Sequence, residues 1–223
     1  MSNETGGGSW RDHRQPCEVR HEPGVPTEIV PMAAEFVSVS ESSLVTREHF
    51  PHDEQLMADV LRCYKPHCRY LRRLAVDTEG LRVTGTGMFE IPESCYIDAT
   101  GHLNAVEMNI CYNQIMYQTF AVLVRHEVGQ YFGTWTMDDY WERQLPDILI
   151  TRFNSTFHRP IHPLRFHGEF TLSAVEERFR SDDRAPFTAL DTTFRCWDDL
   201  GGQCAASVRL AIVSPRRRLE PVT

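Results

Sequence analysis

HLNAVEMNICYNQIMYQTFAVLV, residues 102–124, is the stretch whose reading decides the fold. It contains neither Pro nor Gly, and Leu103, Val106, Met108, Ile110, Ile115 and Phe120 put apolar side chains on nearly every face of a helix. A helix that is apolar all round is buried all round. Something wide must cover it, and each polar exception along it must be hydrogen-bonded or chemically engaged. Gly101, just before the helix, lets a ligand approach the backbone closely at the helix start.

Outward from this helix the pattern is mostly β. Towards the C-terminus, QYFGTW (130–135) reads as a strand. Thr136 and Asp139 form a possible capping box for a short helix, MDDYWERQL. Strand patterns follow at 148–157, 165–179, 187–197 and 203–213, the last two joined across the Asp-Asp-Leu-Gly-Gly turn. Towards the N-terminus, DEQLMADVLRCY puts Leu56, Val60, Leu61 and Tyr64 at helical spacing behind Asp53 as N-cap, and Pro66 ends that helix. Residues 68–77 and 81–91 flank a Thr-Glu-Gly turn and read as a hairpin, and 92–100 as a loop. This order predicts an α+β fold in which a curled antiparallel sheet wraps around one long central helix, rather than a βαβ alternation. Such a sheet keeps open edges, so a homo-oligomer, a dimer or higher, is expected.

With 223 residues and 41% apolar content, the chain can build one sizeable core. The expected organisation is an N-terminal arm over 1–50, one domain over 51–214 with order beginning at Asp53, and a C-terminal tail over 215–223. No run reaches the 18–20 or so apolar residues of a membrane span, and the N-terminus lacks a signal-peptide stretch, so no membrane and a cytoplasmic location are expected. The formal net charge of −8 argues against nucleic acid as a partner. An acidic partner would need a local basic patch. Lys65, Arg69, Arg72 and Arg73 offer one and Arg216, Arg217 and Arg218 another, although solvated charges are the plainer reading of both. Seven cysteines are scattered without CxxC spacing, which fits reduced, mostly buried thiols. His158, His162 and His167 lie in a Pro-broken loop without a nearby carboxylate pair, a poor metal pattern. No metal and no cofactor are expected.

The segment ESCYIDATGHLNAVEMNICYNQ (93–114) also carries a specific resemblance. Its Tyr96-Ile97, Thr100-Gly101-His102, Asn104-Ala105-Val106-Glu107 and Asn113-Gln114, with Tyr117 beyond, resemble the hot-dog-fold mycobacterial long-chain fatty acyl thioesterases. They resemble equally the actinobacterial relatives of isonitrile lipopeptide biosynthesis, described as (2E)-enoyl-carrier-protein glycyltransferases. Further echoes are Tyr64 with Cys68-Arg69-Tyr70-Leu71, Asp138-Asp139-Tyr140 with Gln144-Leu145, and Pro160 to Pro163, so the likeness spans about 54–212. The resemblance implies a hot-dog fold, and an acyl carrier protein bearing an enoyl thioester and glycine as partners. The implied reaction is addition of glycine to C3, giving a 3-(carboxymethylamino)acyl product. It also implies that Tyr64, Tyr96, Asn104 and Asn113 line an acyl pocket. Fatty acyl thioester hydrolysis is the rival enzymatic reading, and a non-catalytic carrier-binding module the rival of another class.

That addition needs a neutral amine facing C3, stabilisation of charge on the thioester oxygen, and a proton for C2. The N–H groups near Gly101 to Leu103, at the positive end of the helix, are the expected oxyanion donors. Glu107 is the preferred general base or relay, because burial raises a carboxylate pKa towards neutrality; the competing reading is a capping or ion-pair residue. Hot-dog dehydratases resemble this arrangement, but the histidine they carry about fourteen residues before that acid is Glu93 here, which argues against simple water elimination. His102 is a second candidate base or a loop-lining residue. Nine residues separate Asn104 from Asn113, about 180° around a helix and roughly 13 Å along it, whereas Asn104 and Glu107 differ by only about 60°. Asn104 with Glu107 is therefore the expected chemical centre. The glycine carboxylate calls for a cation, with Arg69, Lys65, Arg152 and Arg159 as candidates. No GxSxG motif and no evident Cys/His pair suggests covalent catalysis.

Overall fold

The computed structural model describes residues 46–178 and 187–213. The elements run in the order β1 (Arg47–Phe50), α1 (Glu54–Val60), β2 (Leu71–Glu79), β3 (Arg82–Phe89), α2 (Ala105–Arg125), α3 (Met137–Arg143), β4 (Ile148–Arg159), β5 (Phe166–Arg178), β6 (Phe187–Trp197) and β7 (Gln203–Val213). The seven strands form one antiparallel sheet in the order β1-β2-β3-β5-β6-β7-β4. The sheet curls round α2, the α+β arrangement expected from the sequence. It reaches upstream of the expected start at Asp53, because Arg47–Phe50 pair with Val76–Glu79 of β2. Residues 1–45, where most of the arm was expected, and 214–223, which hold Arg216, Arg217 and Arg218, lie outside the described residues.

Local chemistry sets the element ends. Asp53 caps α1 through its side chain and the Leu56 N–H at 2.9 Å. Thr136 and Asp139 make the reciprocal capping box that starts α3. The β2–β3 turn is tighter than the Thr-Glu-Gly reading. Thr78 and Glu79 still pair across the ladder, and the chain reverses over Gly80, at φ +60°, and Leu81. The expected strand at 130–135 is absent; Phe132–Thr134 form a 3₁₀ turn instead. Its aromatics find better partners on α2 than a ladder could offer, Phe132 stacking on Phe120 at 4.4 Å.

The core lies between α2 and the inner face of the sheet, where Phe89, Phe166, Phe170 and Phe194 surround Tyr112 and Phe120. The Tyr112 hydroxyl is satisfied by Thr192 Oγ1 at 2.8 Å. Close approach of helix to sheet depends on glycine. A Cβ at Gly85 would lie 2.3 Å from Thr119 Oγ1, and one at Gly87 would lie 2.8 Å from Leu71 Cδ1. Gln114, fully buried, ties the helix to the chain entering β2: its Oε1 accepts from the N–H groups of Tyr70 and Leu71, and its Nε2 donates to the Cys68 carbonyl. The helix is not buried all round, however. Val106 is 49% exposed, and Asn109, Ile110 and Asn113 are half-buried on the same side. Among the described residues no helix is long and apolar enough to cross a membrane.

Candidate active site

The chemistry-bearing residues meet at the start of α2. The helix begins at Ala105, with Asn104 as its N-cap in extended backbone conformation. Asn104 Oδ1 accepts from the N–H groups of Val106 (3.0 Å) and Glu107 (3.1 Å), and the Tyr96 hydroxyl donates to the same oxygen at 2.9 Å. Glu107 completes the capping box by accepting the Asn104 N–H at 3.4 Å. The 60° relation does not apply, because Asn104 precedes the first helical residue. Asn104 and Glu107 share a site through capping chemistry rather than helical periodicity.

This geometry narrows the oxyanion expectation. The Leu103 N–H donates to the Ile161 carbonyl and those of Val106 and Glu107 to Asn104, whereas Gly101 and His102 line the cavity described next. Asn104 Nδ2 is buried without a partner among the described residues, and so is Ser94 Oγ. Buried polar atoms without partners are rare enough to need an explanation, and a substrate oxygen supplies one.

A cavity of about 240 Å³ adjoins this cluster, lined among others by Glu93, Ser94, His102, Glu107 and His162. Glu107 is 2% exposed, so its carboxylate contributes to the wall while staying largely out of water. His102 Nδ1 lies 3.1 Å from the Thr100 carbonyl oxygen. A carbonyl only accepts, so Nδ1 carries the proton there and a neutral ring offers its Nε2 lone pair as a base. Glu93, noted in the sequence only as a departure from the dehydratase pattern, proves to be a wall residue.

Glu107 and His102 line the cavity, Tyr96 and Asn104 are bonded to each other at the helix start without lining it, and Tyr64 and Asn113 lie elsewhere. Tyr64 lies half-buried in the surroundings of Cys63, Cys111 and Tyr117, where burial raises its hydroxyl pKa well above the ordinary tyrosine range. The Tyr117 hydroxyl is likewise pushed up to about 12 by burial. Both therefore remain neutral hydrogen-bonding groups rather than bases. Asn113 turns to the half-exposed side of α2, its Nδ2 donating to Asn109 Oδ1 at 2.9 Å. The four cations considered for a carboxylate do not line the cavity. Arg69 spends its guanidinium on the carbonyls of Tyr64 and Arg62, and Arg159 lies beside Gly201. Burial, and then the Glu107 carboxylate, push the Cys111 thiol well above its ordinary range, so no thiolate nucleophile stands beside Glu107. Among the described residues no three His, Cys, Asp or Glu side chains cluster as metal ligands.

His162 is a wall residue that sequence reasoning did not put in the site. Read as part of a loose histidine series, it is instead a wall residue of the cavity, while His167 stacks on Trp197. The echo at Pro160 to Pro163 was the one available signal. What holds the segment is long-range: Asp198 Oδ2 accepts the His162 N–H at 2.7 Å, and the Pro163 carbonyl accepts the Ile91 N–H at 2.8 Å.

One antiparallel sheet wrapped on one long helix, with a cavity at the helix start, is a hot-dog arrangement, the class to which the family match also assigns the chain. The chain belongs to the FcoT-like thioesterase domain family, whose description matches residues 59–212. It is 49% identical over 162 residues to a Streptomyces coeruleorubidus protein named (2E)-enoyl-[ACP] glycyltransferase, covering 73% of this chain and 98% of that one. A protein of the same name from Mycobacterium tuberculosis (strain ATCC 25618 / H37Rv) is 33% identical over 168 residues, covering 74% of this chain and 88% of that one. Among solved structures, a thioesterase family protein from Silicibacter pomeroyi matches 72% of this chain and 98% of its own, at 16% identity and a TM-score of 0.37.

Proposed function

We propose that this protein adds glycine to C3 of a (2E)-enoyl thioester carried by an acyl carrier protein. The observation that carries the proposal is the junction of Asn104 and Glu107: a buried carboxylate at a cavity wall, next to a buried amide donor that has no partner. Near-complete coverage of relatives named for this reaction favours addition over hydrolysis.

In the proposed reaction, Glu107, or His102 through its Nε2, takes one proton from the glycine ammonium. The freed amine attacks C3, and the C2–C3 π pair moves onto the thioester oxygen. Asn104 Nδ2 donates to that oxygen as its charge develops. The proton held by the base then passes to C2. The product is a 3-(carboxymethylamino)acyl thioester with its C–S bond intact; glycine's three ammonium protons end as two on nitrogen and one on C2. Tyr96 holds Asn104 in place, and Tyr64 and Asn113 serve the acyl chain further along the helix.

Two features support a dimer: β4 is an outer strand of twelve residues, and among the described residues the Val106–Ile110 side of α2 is only partly covered. Arg73 and Lys65, both exposed, could meet an acidic carrier, whereas Arg72 already pairs with Glu90 at 3.2 Å. A cytoplasmic setting suits such substrates, and isonitrile lipopeptide assembly is the pathway we infer.

The test is to incubate the protein with an enoyl-loaded carrier, with and without isotopically labelled glycine, and weigh the carrier. Glycine-dependent gain of mass on the carrier is the expected result. Release of free acid regardless of glycine would establish hydrolysis instead. An unchanged carrier in both arms would point to a binding module.

A further inference from the structure

We propose that His162 binds the glycine carboxylate in this cavity. The inference rests on the glycine-addition reading above and extends it to the second substrate's specificity.

Glycine differs from a simple amine by its carboxylate, and the cavity wall already carries two carboxylates, Glu93 and Glu107. An anion placed beside them needs a counter-charge or a strong donor. Among the described residues, those lining the cavity include no Arg or Lys, and the basic side chains there are His102 and His162. The two rings are presented differently. His102 gives its Nδ1 proton to the Thr100 carbonyl, which leaves the Nε2 lone pair for proton transfer. His162 Nδ1 faces the Leu164 N–H at 3.4 Å and accepts from it, which puts the ring proton on Nε2. One ring is thus a base and the other a donor.

The segment that carries His162 is built to hold a position. Asp198 takes the N–H groups of His162 (2.7 Å), Gly202 (2.7 Å) and Leu200 (2.9 Å) on one buried carboxylate. The Ile161 carbonyl on one side of His162 accepts from Leu103, and the Pro163 carbonyl on the other accepts from Ile91, so both neighbours are tied to the ends of elements framing the cavity. Gly202 permits the contact: a Cβ there would sit 2.3 Å from the Pro160 carbonyl oxygen and 2.7 Å from Asp198 Oδ2. A loop that only connected β4 to β5 would not need its backbone fixed from three directions. The ring itself stays exposed, as a group that meets a diffusing ligand must.

Steady-state kinetics on H162Q and H162K with an enoyl-loaded carrier test the assignment. Losing a charge-assisted contact should raise KM for glycine in H162Q by about 10- to 100-fold, with KM for the carrier substrate unchanged. H162K, which supplies a charged N–H donor, should recover most of the glycine affinity, and methylamine addition should be indifferent to both changes. Unchanged KM for glycine in H162Q, or equal loss with glycine and methylamine, would overturn the assignment while leaving glycine addition intact. Failure of the wild-type protein to add glycine would overturn the parent reading and this one together.

Discussion

Asn104 carries two duties on one side chain, and a single substitution separates them. Its Oδ1 caps α2, while its Nδ2 is the free donor. Asp caps as well as Asn does but has no N–H to give. N104D should therefore keep its melting temperature within a degree or two while kcat falls about 100-fold or more, the usual loss for a removed oxyanion donor. N104A should lose both, including about 1 kcal/mol of stability in denaturant titration. Glu107 divides in the same way. Gln serves the capping box but cannot take the ammonium proton. E107Q should fold normally and show no glycine addition; unchanged turnover would remove Glu107 from the mechanism. The sequence pointed to both residues and left base and cap as competing readings of Glu107. The structure makes them compatible, because the capping contact at 3.4 Å is long and the carboxylate still reaches the cavity.

At the scale of elements, α2 depends on two kinds of sheet contact, and each predicts a mutant. Gly85 has no room for a side chain, since Thr119 already bonds back to the Ile115 carbonyl at 2.7 Å. G85V should push β3 from the helix and cost about 2 kcal/mol or more, read as a shifted urea midpoint. Gln114 serves three backbone groups at once, so Q114L would strand the N–H groups of Tyr70 and Leu71 and the Cys68 carbonyl. The expected cost is about 3 kcal/mol, because buried groups without partners lose their hydration without recompense. Caps and strands were readable in advance because they rest on residues within one turn or on alternation along one segment: Asp53, Thr136–Asp139 and the last four strands illustrate this. The strand expected at 130–135 failed for the opposite reason. Aromatic content favours strands only where a ladder partner exists, and the end of α2 took those rings first.

For the whole molecule, two predictions concern acid stability and assembly. Burial alone would raise the Asp198 carboxyl, but the backbone N–H donors of His162, Gly202 and Leu200 prevail and hold its pKa below the ordinary carboxylate value. A carboxyl with a depressed folded-state pKa stabilises the protein above its unfolded value, near 3.9, and that contribution is lost as pH falls through the folded value. D198N should be less stable than wild type at neutral pH, and the gap should close below about pH 4 in a thermal-melt series. Assembly is proposed from the β4 edge and the α2 face, which among the described residues are unpaired and partly uncovered. Sedimentation should find a dimer, and V106D should shift it towards monomer; a wild-type monomer at micromolar concentration would remove that reading.

By itself the sequence determined the central helix, the strands around it, the fold class and the residues at the helix start, because each rests on periodicity, capping or a contiguous motif. Tertiary structure alone decided how those residues are used. Of the expected oxyanion donors the Leu103 N–H is spent on the Ile161 carbonyl, and a side-chain amide, Asn104 Nδ2, joins the candidates as a buried donor without a partner among the described residues. His162 reaches the cavity only because Asp198, thirty-six residues away, fixes its backbone, and no local pattern encodes a contact across that separation.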